Sequence, residues 1–257
     1  MAFSYNFSEE SNNIALSIRN KIYTESLNDS RVDIIDFGDA SMLIEEFVTR
    51  AAKPSKNSIL HRLIESQLIA DWNYLRRKTG NEFLGHVTPI LQHYNVRYSK
   101  GNPECSDYNW YLFTKIKEVI PSIAYEAFFI LFEDRQLMQA FNLLLRKIVS
   151  NLKASDFSIL EKDGKFKRCS WPEWLVTALK SRDNARCTLC LKDLSGEFAV
   201  DEKIHIDHIV PISQFGTNDT TNFQLLCKSC NSKKSNKNND VGIHRHVYWT
   251  NQAAANK

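Results

Sequence analysis

The stretch His205-Ile-Asp-His-Ile-Val-Pro211 stands between two cysteine pairs, Cys187-Thr-Leu-Cys190 and Cys227-Lys-Ser-Cys230, and Asn231 follows the last cysteine directly. Within 45 residues the chain offers two metal environments of different chemistry. Four thiolates suit a soft structural ion such as zinc, which they hold in a tetrahedron at about 2.3 Å. Asp207, His208 and Asn231 suit a harder, catalytic ion. The 36 residues between Cys190 and Cys227 exceed the spacing of a simple zinc ribbon, so something folded must lie between the knuckles.

That insert reads as strand, loop and strand. Over Glu202–Ile209, Ile204, Ile206 and His208 share one face while His205 and Asp207 alternate to the other. Pro211 ends the strand, Gly216 to Thr221 is turn-rich, and Asn222-Phe-Gln-Leu-Leu226 leads into the second knuckle. Asn231 then begins or caps a polar helix running through Lys237. Adjacent residues on a strand point oppositely, so Asp207 and His208 serve one site only if the strand twists or ends there. His205 reads as a surface strand histidine.

These residues resemble the HNH endonuclease superfamily, the ββα-metal nucleases. The family pattern appears as Cys187-Thr-Leu-Cys190, Asp207-His-Ile-Val-Pro211, Gly216, Asn222 and Leu225-Leu-Cys-Lys-Ser-Cys-Asn-Ser-Lys-Lys234, over about residues 180–238. Asn231 stands where the last letter of the family name would put histidine. The resemblance implies that His208 is the general base that activates water, a task its ordinary pKa near 6.5 suits. It implies that Asp207 and Asn231 hold Mg²⁺ or Mn²⁺, that Asn222 fixes the imidazole or the opposing loop, and that Lys234 and Lys233 contact phosphate. Cys187, Cys190, Cys227 and Cys230 are the zinc ligands on either argument. A redox dithiol is the weaker reading, since no βαβ pattern surrounds either pair.

Outside this quarter the chain is helical in pattern and resembles no family. A short helix is expected around Asn13–Tyr23, and another over Met42–Ala52, capped by Asp39 or Ser41 and ended before Pro54. Ser55 or Asn57 opens a longer helix whose stripe Ile59, Leu60, Leu63, Ile64, Leu68, Trp72 and Leu75 stops near Gly80. Residues 80–104 read as a loop-rich connector with a short helix over Ile90–Tyr94. Helices at Asp107–Ile120 and Ser122–Leu152 meet at Pro121, and Asp163-Gly164 marks a turn. Trp171-Pro172-Glu173 opens the helix leading to Cys187, with Pro172 in its first turn.

The expected fold class is therefore α+β, mostly α. An α-helical domain spans residues 1–160, a zinc-stapled ββα module 161–242 and a tail 243–257. The 257 residues are 43% hydrophobic and 25% charged with a net charge of +3, an ordinary globular balance rather than a generally basic one. Charge is nevertheless polarised. Lys228, Lys233, Lys234 and Lys237 stand together without an acid over residues 227–239, where an anionic substrate would be held. No apolar run is long enough for a bilayer, and the N-terminus lacks the regions of a signal peptide, so a cytoplasmic location is expected. GxxxxGK[ST] and HExxH are absent, which argues against a P-loop NTPase and a zincin protease.

The expected function is a metal-dependent endonuclease acting on double-stranded DNA, in the setting of restriction or phage defence. The helical domain would select the target, bind a partner protein or form a homodimer. The rivals are a catalytically idle zinc-knuckle module that binds nucleic acid or protein, and a nuclease acting on RNA or structured DNA.

Overall fold

The structure, a computed structural model, describes residues 7–27, 43–196 and 204–242. Six helices come first: α1 (Glu9–Leu27), α2 (Ile44–Ala51), α3 (Ile59–Thr79), α4 (Phe83–His93), α5 (Ser106–Phe132) and α6 (Arg135–Val149). A hairpin of β1 (Leu160–Lys162) and β2 (Lys165–Phe166) follows, then α7 (Glu173–Arg182). The chain ends its described part with β3 (His205–His208), β4 (Phe223–Leu226) and α8 (Lys228–Lys234). A predominantly α-helical region thus precedes a ββα module, as the sequence predicts. No helix among the described residues is long and apolar enough to cross a membrane.

The central helix is α5, which packs against α1, α3, α4 and α6. Its length corrects the reading of the sequence, because it runs through Pro121 rather than breaking there. Proline in a helix interior removes one hydrogen bond and costs about 3 kcal/mol. Here Ile116, Ile120, Ile123, Ala124, Ala127 and Leu131 stay on one buried face only if the helix continues. Each large apolar side chain so buried contributes roughly 1.5–3 kcal/mol, so burial wins. Pro121 itself is exposed, where water can serve the freed carbonyl. The break falls instead at Asp134, whose carboxylate accepts from Leu137 N at 3.0 Å and caps α6.

Other boundaries shift for equally local reasons. α1 exceeds its expected span because Ser8 caps it, its hydroxyl accepting from Ser11 N at 3.0 Å. Ser58, not Ser55 or Asn57, caps α3 through a reciprocal pair in which Ser58 N donates to His61 Nδ1 at 3.1 Å. The connector at 80–104 holds an eleven-residue helix, α4, with Pro89 inside it. Phe83, Val87 and Leu91 give α4 a fully buried face that outweighs the proline. Asp39 and Ser41, the expected caps of α2, lie outside the described residues, and α2 starts after Leu43 with no side-chain cap. Pro172 precedes α7 as its N-cap residue rather than sitting within its first turn. Asp163-Gly164 does make the β1–β2 turn, with Gly164 at φ +66°.

The ββα module lies against the helices rather than beside them. Between β3 and β4, the loop 217–222 is wholly buried. Asn218 N donates to Ala51 O at 2.8 Å, and Ile59 N donates to Asp219 Oδ2 at 2.9 Å. Asn142 on α6 donates to Thr221 Oγ1 at 3.0 Å. A buried ionic knot adds to this: Asp183 accepts from Arg182, from Arg135 of α6 and from Leu225 N of β4. One apolar cluster runs from Ile14 to Val241. The expected boundary near residue 160 is therefore crossed by core packing and by hydrogen bonds.

Candidate metal and hydrolytic centre

The two knuckles come together as their spacing requires. The sulfurs of Cys187, Cys190, Cys227 and Cys230 all lie within 4.8 Å of one another, and Cys190 and Cys227 are 3.7 Å apart. A tetrahedron with bonds of about 2.3 Å has edges of about 3.8 Å, so the set fits a structural zinc ion. In the first knuckle Leu191 takes a positive φ of 62°, so that its N–H folds back to Cys187 O at 2.8 Å. In the second, the Cys227 thiol caps α8 by accepting from Cys230 N at 3.4 Å.

The thiols respond differently to their shared space. Burial pushes the Cys190 and Cys230 thiols up. At Cys187 the same burial is outweighed by N–H groups of Cys227, Cys190 and Leu189, and its thiol is lowered. A cation among them is what would let all four ionise together.

β3 and β4 pair antiparallel, with Asp207 opposite Gln224 and His208 opposite Phe223. This register divides the candidate residues into two groups. His208 is 6% exposed and packs against the rings of Phe223 at 4.7 Å and Trp171 at 5.6 Å. Its Nε2 lies 3.0 Å from Asn218 Oδ1. The other end of that amide is unambiguous, because Asn218 Nδ2 faces two carbonyls, Ala52 O at 3.0 Å and Lys167 O at 2.8 Å. A carbonyl only accepts, so the amide nitrogen must point there and its oxygen toward the ring. His208 Nε2 therefore carries the hydrogen, and the lone pair of the neutral imidazole resides on Nδ1. Burial pushes the imidazole pKa down to about 4. The Asn218 hydrogen bond opposes this, while the charges of Arg168 and Lys234 add to it. At neutral pH the ring is a free base.

Asp207 sits in the second group. Its Oδ2 accepts from Lys234 Nζ at 2.8 Å and from Gln224 Nε2 at 3.2 Å. Lys234 is 2% exposed and also donates to His208 O at 2.8 Å, so one ammonium ties the carboxylate to the backbone of the next residue. This differs from the expected role of Lys234 as a phosphate contact: it is an internal counter-ion. Lys233, one residue earlier, is exposed.

Asn222 fixes the loop rather than the imidazole. Its Oδ1 accepts from Val210 N at 2.8 Å, and its Nδ2 donates to Val210 O and Thr217 O at 2.9 and 2.8 Å. Asn231 does not begin its helix. Cys227 caps α8, Asn231 lies inside it, and the helix ends at Lys234 rather than Lys237. No hydrogen bond joins the Asn231 carboxamide to a described residue. Asp207 Oδ1 is likewise unengaged among them, so two oxygen donors of the kind a hard cation takes remain open. On β3 only His205–His208 are strand, and the expected residues Glu202 and Lys203 lie outside the described part.

Sequence reasoning missed Asn218 and Gln224. Gln224 alone carried a signal: given antiparallel pairing, it must oppose Asp207.

A four-cysteine knuckle set able to hold a metal ion, around a strand pair and a short helix, defines a ββα module. Residues 187–237 match the family model described as HNH endonuclease, and the C-terminal part of the chain is an HNH domain. No curated protein and no solved structure matches the chain.

Proposed function

We propose that the chain is a metal-dependent endonuclease that hydrolyses DNA phosphodiester bonds. The observation that carries this reading is the Asn218–His208 pair, which leaves a neutral imidazole with its lone pair on Nδ1. In the proposed step His208 Nδ1 takes a proton from water as the water oxygen bonds to phosphorus. The bond from phosphorus to the 3′ oxygen breaks, leaving a 5′-phosphate and, once that oxygen is protonated, a 3′-hydroxyl. Asp207 and Asn231 would hold Mg²⁺ or Mn²⁺, which when bound supplies positive charge to the phosphate and the leaving oxygen. Lys234 keeps the Asp207 carboxylate in place, and Asn222 holds the loop that presents Asn218. Lys233 stands exposed, where it could meet a neighbouring phosphate.

The helical region, which grips the loop 217–222, would select the target or receive a partner protein or a second copy of the chain. Restriction or defence against foreign DNA is the setting that fits such a nuclease.

A second reading has one observation in its favour. The Asp207–Lys234 ion pair already neutralises the carboxylate, as an idle zinc-knuckle module that only binds nucleic acid could tolerate. Incubating the zinc-loaded protein with supercoiled plasmid separates the two. The nuclease reading requires nicks when Mg²⁺ is added and none without it, whereas intact plasmid under both conditions supports the idle module.

A further inference from the structure

The segment Lys167-Arg-Cys-Ser-Trp171 joins β2 to α7 and lies outside the residues that match the HNH family. Both of its ends are fastened to the candidate centre. At one end Lys167 O accepts from Asn218 Nδ2 at 2.8 Å. At the other, the Trp171 indole sets its ring edge-on against His208 at 5.6 Å and Phe223 at 5.3 Å. The segment must therefore pass across the face of the module beside His208.

What it shows to solvent is cationic and aromatic. Arg168 is exposed, and Trp171 keeps 36% of its surface accessible although its ring is anchored. Lys167 Nζ reaches back to Ser158 O at 3.4 Å. Arg168 makes no hydrogen bond or ion pair with a described residue. The Glu161 carboxylate on β1 is already held by Lys165 at 2.9 Å. An exposed guanidinium without a hydrogen bond or ion pair to a described residue, three positions before a partly exposed indole, matches a phosphate followed by a base along one strand. Arginine binds phosphate oxygens in a bidentate fork, and a base can stack on any aromatic face.

We propose that Arg168 and Trp171 form a strand-binding strip, Arg168 holding a DNA phosphate beside the one attacked and Trp171 stacking on a neighbouring base. The position of the cut relative to the strip rests on the nuclease reading, whereas the binding itself does not. The strip widens the substrate site beyond the zinc module to the segment between the hairpin and α7. It also makes one element responsible both for seating Asn218 and for seating the strand.

The test is the salt dependence of DNA binding, read by fluorescence anisotropy with a labelled single-stranded oligonucleotide and no added divalent cation. Each phosphate contact on a single strand contributes about 0.7 to the slope of log affinity against log salt. Arg168→Ala is expected to flatten the slope by about that amount and to weaken binding roughly threefold to tenfold at low salt. Arg168→Lys, which keeps the charge, should restore the slope. Trp171→Ala should weaken binding roughly tenfold with the slope unchanged, because stacking releases no counterions. An unaltered slope in Arg168→Ala, with zinc content and melting temperature as in the parent, overturns the strip. So does a parent protein that binds no DNA. Cleavage by the parent alongside an unaltered slope sinks the strip and leaves the nuclease. An Arg168-dependent slope without any cleavage sinks the nuclease and leaves the strip as a DNA-binding site.

Discussion

Asn218 Oδ1 accepts from His208 Nε2 at 3.0 Å, and the nitrogen of the same amide is bonded to Ala52 O at the end of α2 and to Lys167 O after the hairpin. One side chain thus joins the candidate base to the helical region and to the segment that precedes α7. Its backbone N–H adds a fourth tie, to Ala51 O at 2.8 Å. With no exposed surface, Asn218 has no water to replace a lost partner.

Removing that amide should disorient the imidazole without removing it. Asn218→Ala is expected to lower kcat by roughly 10–100-fold, the usual range for loss of a group that orients a functional histidine. KM should change little, because Asn218 is buried beneath the surface that would meet substrate. Asn218→Asp should not rescue, since a carboxylate cannot donate to the Ala52 and Lys167 carbonyls. A kinetic comparison in which only KM moves would contradict this role.

The cysteine cluster predicts about one zinc ion per chain, retained through dialysis and measurable by elemental analysis. Cys190→Ser should lose the ion and lower the melting temperature, because the short β3–β4–α8 unit is held together by the knuckles at both ends. Full zinc content in Cys190→Ser would show that the four thiols do not act as one site.

Acid should destabilise the fold through its buried histidines. Burial pushes the His61 and His208 imidazoles down to about 4, with Arg50 adding to the effect at His61. The unfolded chain, with ordinary values near 6.5, binds protons between those limits that the folded chain refuses. Stability from these groups is therefore complete above about pH 6.5 and is lost as the pH falls toward 4. Each should account for roughly 2 kcal/mol between pH 7 and pH 5. His61 stacks on Phe128 at 3.8 Å and has no part in the proposed chemistry, which makes it the cleaner probe. Urea unfolding of His61→Gln should show a smaller difference between pH 7 and pH 5 than the parent by about that amount. An identical difference would rule the assignment out.

How much of this was legible in the sequence depends on how far each interaction reaches. The clustering of the four cysteines, the strand that carries Asp207 and His208 and the turn at Asp163-Gly164 are written in spacings of a few residues, and local chemistry reveals them. The partner of His208 is not, because Asn218 becomes meaningful only when Ala51, Ala52 and Lys167 arrive from elsewhere in the chain. Lys234 reads as a surface cation in a polar run, and only the packing of α8 on β3 turns it inward to Asp207. Pro121 misled for the opposite reason: its local preference to break a helix was clear, but the buried face of α5 overrode it. Pro89 in α4 repeats that lesson.

If His208 is the base of a hydrolytic centre, plasmid nicking must depend on its imidazole, and His208→Ala removes that group alone. With Mg²⁺ present and zinc content matched, the parent should nick supercoiled DNA and the variant should be slower by roughly 10²–10⁴-fold. Nicking by His208→Ala at the parent's rate would show that the imidazole takes no proton in the reaction.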